Sequence, residues 1–323
     1  GIALPIIMII LLVMVLLYTM LGGMISVIIT DYIQFVVLSL GLIISVIISV
    51  LHFGWSNIFT ELGVLTNQSA STYDPIQSRG GFYITWQVVL GFVSAVVWPT
   101  AITRALSLDS PQTVRKQYIW SSVSFLIRFM IPCFLGICAY IYYGGVTDEN
   151  TLIMMPRFLS EILPIGVLGI MTAAMLAAFM STHDSYLLCW STIITNDIIE
   201  PLSGRELPSK IKINISRFII FLLGIYILYW GLFYKGNDSI WSYLSITGAV
   251  YFSGAITVLI AGLYWEKASE IGAILALLGG LSALVGLEPI REFLSISLQP
   301  EQIGILSLLF TILMMFIGSL FFP

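Results

Sequence analysis

The chain has 323 residues, of which 59% are hydrophobic and only 9% are charged. A soluble domain carries roughly a quarter charged residues, so this composition excludes a soluble fold and indicates a protein embedded in a lipid bilayer. The net charge of −4 says little about partners, and no basic stripe indicates that nucleic acid is one of them.

Nine apolar stretches are long enough to cross a membrane, which takes about 20 residues in a helix. In chain order they are 2–20, 25–51, 82–106, 118–143, 163–195, 215–234, 240–265, 271–288 and 303–322. Backbone groups in lipid must be satisfied within a segment, and these stretches lack the alternation of barrel strands. We therefore predict an all-α polytopic membrane protein with about nine transmembrane helices.

Positive charge is distributed unevenly among the connections between these segments. The connections after the third, fifth and seventh segments carry eight Lys and Arg residues, whereas those after the second, fourth, sixth and eighth carry four. The positive-inside rule then predicts a multi-pass plasma-membrane protein with its N-terminus outside and its C-terminus in the cytoplasm. A start outside the membrane without a signal is unusual, so we expect the chain to begin within a longer protein.

Ionisable side chains inside the apolar segments are costly and are functional candidates by default. Asp31 lies about two turns into the second segment, Arg128 lies near the middle of the fourth, and Asp184 follows His183 in the fifth. Asp31 and Arg128 could instead form a structural pair. For His183 we expect a packed or hydrogen-bonded role rather than a metal-ligand role.

The fifth segment carries a polar stripe of small residues. Ala178, Ser181, Thr182 and Ser185 follow i, i+3, i+4, i+7 spacing, which places them on one helix face, and Asp184 flanks that face. Hydroxyl and carboxylate oxygens are hard ligands that suit a small cation. The alternative is that the hydroxyls bond back to their own helix and the small residues only pack.

Four stretches, in this order, resemble the sodium:solute symporter family. Residues 18–34 resemble the approach to and start of its fifth core helix, and 103–110 the cytoplasmic end of its sixth. Residues 177–185, with Asp197 further on, are similar to its eighth helix, and 262–273 to the junction after its tenth. From the first to the last, these stretches extend over roughly residues 18–280, nearly the whole chain.

The resemblance implies the leucine-transporter type of inverted-repeat fold, here without its first core helices. Residues 1–51 would be the end of the first repeat, with core helices four and five, and 52–81 an extracellular loop. Residues 82–265 would form the second repeat, with core helices six to ten, and 266–323 additional C-terminal transmembrane helices. The implied activity is sodium-coupled symport of a small organic solute, with no enzymatic step and no cofactor besides the coupling ion.

The resemblance also implies a main sodium site on the eighth core helix. Its ligands there would be the carbonyl of Ala178 and the hydroxyls of Ser181 and Thr182, completed by carbonyls of the family's broken first helix. Alternatives to a sodium symporter are a proton-coupled symporter and a transporter-like membrane sensor that does not transport.

Some family members have a second sodium site, and the matching residues here are Asp31, Ser181, Asp184 and Ser185. Sites of this kind usually show a hydroxyl at the position of Asp184. A second carboxylate would strengthen cation binding, or it could bind a proton instead.

The resemblance also bears on the solute. Sugar-carrying members have an aromatic gate and a lysine where this chain has Ser94 and Phe125, which counts against a sugar. Arg128, one turn beyond Phe125, could pair with an anionic solute such as a carboxylate or amino acid, or neutralise a buried aspartate. Three residues of the third segment could line the solute cavity or be ordinary membrane aromatics and polar residues: Trp86, Gln87 and Trp98.

Overall fold

A computed structural model describes residues 4–66, 74–145, 151–233 and 240–322, and these residues contain helices and no strands. The helices are α1 (Leu4–Phe53), α2 (Trp55–Thr66), α3 (Pro75–Arg79), α4 (Gly81–Val97), α5 (Pro99–Leu106), α6 (Pro111–Tyr142), α7 (Thr151–Ile162), α8 (Ile165–Ile193), α9 (Glu200–Leu202), α10 (Ser209–Phe233), α11 (Ile240–Tyr264), α12 (Glu270–Gly279), α13 (Glu288–Phe293) and α14 (Pro300–Phe321). A π-helix at Ile194–Ile199 joins α8 to α9, and a 3₁₀ helix at Gly280–Gly286 continues α12.

Within the described ranges, seven helices are long and apolar enough to cross a membrane, which confirms the all-α membrane fold. The first of them contains both of the first two predicted segments. The predicted span at 271–288 is shorter than expected, because α12 gives way to the 3₁₀ helix at Gly280. The buried residues Gly280, Ala283 and Gly286 recur every third position, which matches the three-residue turn of a 3₁₀ helix.

The structure adds detail to two predicted connections and one predicted span. The expected extracellular loop at 52–81 contains the helices α2 and α3, and the connection before α8 contains α7. The predicted span 82–106 is divided into α4 and α5, because Trp98 has extended backbone angles (φ −65°, ψ 114°) and Pro99 begins the next helix.

Helix α1 is broken at Gly23, whose backbone angles (φ 56°, ψ −147°) are not helical. The hydroxyl of Tyr18, before the break, interacts with the side chain of Gln34, after it. A straight helix would separate these residues by about 24 Å, so the two arms of α1 must bend towards each other. Arg217 of α10 donates from Nε to the Met20 carbonyl at 2.7 Å, satisfying a carbonyl near the end of the first arm.

The described chain forms two compact units. The first comprises Gly1–Thr72 with Ser107–Tyr234, and the second comprises Tyr73–Leu106 with Lys235–Pro323. Residues of the predicted second repeat, 82–265, thus contribute to both units. The division into repeats, which concerns topology rather than compactness, stays a prediction.

In the first unit, α1 packs along α8. Gly41 lies directly against Ala174, and these small residues let the two helices approach closely. One apolar core surrounds this contact and includes Leu38, Leu42 and Met171. A second core nearer the start of α1 contains Val15, Leu187 and Ile220.

The second unit is built from α4, α11, α12 and α14. The Trp86 indole on α4 is 3% exposed and donates from Nε1 to the Ser245 hydroxyl at 2.7 Å. Its ring lies against Gly304 of α14, where a larger residue would collide with it. Thr257 and Thr311 share a buried hydrogen bond of 3.0 Å between α11 and α14. Small residues and paired hydroxyls therefore hold these helices together.

We expect Gly23→Ala to destabilise the protein by about 1–2 kcal/mol, since an L residue is strained at this positive φ. A steric clash would not explain this destabilisation, because a Cβ at Gly23 would meet nothing within 4 Å. Gly136→Ala in α6 is the matched control, because a Cβ there also meets nothing but the backbone is helical. Melting in detergent measures both; equal effects of the two substitutions would contradict the role of the break.

Ser245→Ala should lower the free energy of unfolding by about 1–3 kcal/mol, because it leaves the buried Trp86 N–H without its acceptor. The same substitution in a Trp86→Phe background should cost clearly less. Ser94→Ala is the control, since that hydroxyl bonds only to Gly91 of its own helix at 3.1 Å. If Ser245→Ala has the same effect on melting in both backgrounds, the hydrogen bond does not stabilise the unit.

Candidate functional site

Helix α8 carries the polar stripe of the predicted sodium site. The Ala178 carbonyl accepts hydrogen bonds from the Ser181 hydroxyl at 3.2 Å and from the Thr182 hydroxyl at 2.9 Å. The three predicted ligands are therefore brought together around one carbonyl. Ser181 is half-buried and Thr182 is exposed, so this face of α8 remains open within the described chain.

These contacts also match the alternative to a cation site, in which the hydroxyls only bond back to carbonyls of their own helix. The two interpretations are compatible in chemical terms, because a hydroxyl that donates its single proton keeps two lone pairs. By donating to the Ala178 carbonyl, Ser181 and Thr182 fix the direction of those lone pairs. The arrangement can present hydroxyl oxygens to a cation without breaking a bond within the helix.

Asp184 lies one turn further along α8 and is fully buried, with 0% exposure. Its Oδ2 accepts a hydrogen bond of 2.5 Å from the Tyr18 hydroxyl on the first arm of α1. The Ser185 hydroxyl lies 3.1 Å from Oδ1 and 2.7 Å from the Ser181 carbonyl. Three of the four residues of the predicted second cation site therefore lie together on α8.

Asp31, the fourth residue, lies on the second arm of α1. Its carboxylate interacts electrostatically with the Tyr18 hydroxyl, as does that of Asp184. One oxygen of Asp31 and the amide oxygen of Gln34 are shielded from solvent. The bend at Gly23 thus brings the second arm of α1 near Tyr18, which holds Asp184.

Sequence reasoning missed Tyr18 and Gln34 as members of this cluster. Both belong to the stretch that resembles the family, but neither was assigned a role. The signal that could have found them is the Gly22-Gly23 pair between them, since a glycine pair in an apolar segment marks a place where a helix can bend.

Arg128 of α6 lies over the Phe35 ring, with its guanidinium carbon 5.4 Å from the ring centroid. Phe35 is one turn beyond Asp31 on α1, so Arg128 lies near the second arm. Phe125 is 71% exposed and stacks on Phe129. The pairing of Arg128 with a solute or with Asp31 stays a prediction.

The α4 residues that could line a cavity have different surroundings. Trp86 is buried and hydrogen-bonded inside the second unit, which favours a structural role over a cavity-lining one. Gln87 is half-buried, and the Ser94 hydroxyl bonds to its own helix. The Trp98 ring lies 5.5 Å from the Phe252 ring, at the break between α4 and α5.

His183 is packed and hydrogen-bonded, as the sequence predicts. Its ring stacks on Phe179 at 4.0 Å, and its Nδ1 lies 2.7 Å from the Phe179 carbonyl. Across the described ranges, no three His, Cys, Asp or Glu side chains come together as a metal-binding group. The hydroxyl and carbonyl oxygens of α8 are hard ligands, suited to an alkali cation.

Comparison with known proteins gives consistent matches. The model of the sodium:solute symporter family matches residues 1–280. The sodium/pantothenate symporter of Haemophilus influenzae is 23% identical over 264 residues, covering 80% of this chain and 53% of that protein. The human sodium/myo-inositol cotransporter 2 is 33% identical over 144 residues, covering 42% of this chain and 20% of that protein. The chain thus spans about half the length of the pantothenate relative.

Among solved structures, a Na⁺-coupled sialic acid symporter in a substrate-bound outward-open state matches the whole chain. The TM-score is 0.77 at 20% identity, and the match covers 100% of this chain and 68% of that one. This likeness shows the leucine-transporter type of fold. Because the family model also covers most of the sequence, the chain belongs to the sodium:solute symporter family.

Proposed function

We propose that this chain is part of a sodium-coupled secondary active symporter for a small organic solute. The observation that carries the proposal is the convergence of the Ser181 and Thr182 hydroxyls on the Ala178 carbonyl. Membership of a symporter family supports it and makes an enzymatic role unnecessary. Sodium is the coupling ion, and the protein is a multi-pass membrane protein with a cytoplasmic C-terminus.

In this mechanism, the α8 oxygens replace part of the hydration shell of sodium. The surrounding lipid and packed helices supply no competing water, so a few hydroxyl and carbonyl contacts contribute strongly to the free energy of sodium binding. The remaining ligands come from parts of the protein outside this chain. Moving one positive charge down a potential of 100 mV supplies about 2.3 kcal/mol to the transport cycle.

A second cation site at Asp31, Ser181, Asp184 and Ser185 is part of the same proposal. Its support is the buried Asp184 carboxylate beside the Ser185 hydroxyl, with Asp31 near the same tyrosine. If Asp184 takes up a proton in each cycle instead of a sodium ion, the coupling becomes partly proton-driven.

For the solute we propose an anion. The relatives named above act on pantothenate, sialic acid and myo-inositol, and the first two carry a carboxylate. Arg128 would recognise such a group; the proposal is supported by its position on α6, over the Phe35 ring of the second arm of α1.

The sodium site is tested by Ser181→Ala/Thr182→Ala in the full-length protein in detergent. We expect the wild type to melt at a higher temperature in Na⁺ than in K⁺ or choline, and the double variant to lose this difference. Thr172→Ala/Thr192→Ala is the matched control, because both hydroxyls also bond back to carbonyls of α8, at 2.8 Å each.

Two results would contradict the proposal in different ways. A wild type without a Na⁺-specific effect would overturn sodium coupling. A double variant that keeps the full Na⁺ effect would be consistent with sodium coupling but would exclude these two hydroxyls as sodium ligands.

The solute assignment is tested by Arg128→Gln, with melting measured in Na⁺ plus pantothenate, sialic acid or myo-inositol. If Arg128 binds a carboxylate, affinity for the anion that stabilises the wild type should fall by about ten- to a hundredfold, the range for a bond to a charged group. Arg157→Gln is the control, because that side chain pairs with Glu161 at 3.2 Å outside the predicted spans. Stabilisation of the wild type by myo-inositol alone would contradict an anionic solute.

A further inference from the structure

Tyr18 makes the contact between α1 and α8 that bears most directly on the second cation site. Its hydroxyl lies 2.5 Å from Oδ2 of Asp184 and 3.5 Å from the Met180 carbonyl. One hydroxyl proton serves one of these acceptors well, and the nearer, charged oxygen is the stronger one. The proton therefore goes to Asp184.

The other oxygen of Asp184 has a different neighbour. The Ser185 hydroxyl lies 3.1 Å from Oδ1 but 2.7 Å from the Ser181 carbonyl, and it too has a single proton to donate. The Ser185 hydroxyl thus lies within hydrogen-bonding distance of both acceptors. Its oxygen and Oδ1 are neighbouring hard oxygens on the face where the second cation site is proposed.

We propose that Tyr18 is the positioning residue of the second cation site: by holding Oδ2 of Asp184, it orients Oδ1 towards the oxygens of α8. The inference rests on the proposed function. It adds a residue of the first arm of α1 to a site otherwise made by the second arm and α8. Because the same hydroxyl interacts with Asp31 and Gln34, it links all three segments.

The packing of Tyr18 makes the inference testable. Its ring belongs to the apolar core formed by Val15, Leu187 and Ile220, so Tyr18→Phe keeps the ring contacts and removes only the hydroxyl. Without that donor, the Asp184 carboxylate loses a charge-assisted bond that fixes its orientation. Sodium binding should weaken even though the fold is kept.

The experiment is a sodium titration of the full-length protein in detergent, with melting temperature as readout. Tyr18→Phe should raise the half-saturating Na⁺ concentration about tenfold, equivalent to the loss of one hydrogen bond to a charged group. In an Asp184→Asn background, Tyr18→Phe should produce no further change. Tyr226→Phe is the control, because that side chain is 58% exposed on α10.

The outcomes separate this inference from the function on which it rests. If Tyr18→Phe lowers the melting temperature without Na⁺ but keeps the wild-type half-saturating concentration, Tyr18 is only structural and the inference is overturned alone. The inference is also overturned if Tyr18→Phe raises the half-saturating Na⁺ concentration equally in the wild-type and Asp184→Asn backgrounds. A wild type without a sodium response overturns sodium coupling and the inference together.

Discussion

The bend at Gly23 is the constraint on which the polar cluster depends. A continuous α1 would carry Tyr18 and Gln34 about 24 Å apart along one axis. Because Gly23 adopts a positive φ, the two arms bend, and residues of the second arm interact with Tyr18, whose hydroxyl contacts Asp184 of α8. In lipid such a bend requires partners for the exposed carbonyls, and Arg217 supplies one at Met20. One glycine and one arginine on a distant helix thus set the geometry of the candidate site.

The hydroxyls of α8 show why a membrane site can look structural and still bind an ion. A buried hydroxyl in an apolar surrounding needs a partner at all times, and a carbonyl one turn back is always available. Ser181, Thr182 and Ser185 all use this partner. The same bonds aim the oxygen lone pairs outward, so one arrangement both satisfies the hydroxyls within the helix and prepares their oxygens for a cation. Back-bonding is therefore not evidence against a site.

Hydropathy predicted the fold well because every segment that spans lipid must be apolar and must satisfy its backbone hydrogen bonds within itself. It placed the gap between the first two segments, at 21–24, where α1 breaks at Gly23, but it did not predict the break at Trp98 within 82–106. Pro132 and Pro156 lie inside helices, whereas Pro99 starts one, so a proline in an apolar stretch does not decide the outcome. The spacing on α8 placed the predicted ligands on one face, since that depends on local geometry alone. Tyr18 was missed because its contact with Asp184 spans 166 residues of sequence.

The carboxylate at Asp184 changes what a cation at this site would do. Asp31 and Asp184 both interact with the Tyr18 hydroxyl, so two carboxylates lie near one donor in a medium of low dielectric. Like charges in such a medium repel strongly, and a monovalent cation or a proton relieves that repulsion. Under the proposed function, ion occupancy would therefore favour a closer approach of the second arm of α1 to α8, with Tyr18 between them. A hydroxyl in place of Asp184 would bind sodium without this repulsion to relieve, so the carboxylate ties ion binding more tightly to the packing of these helices.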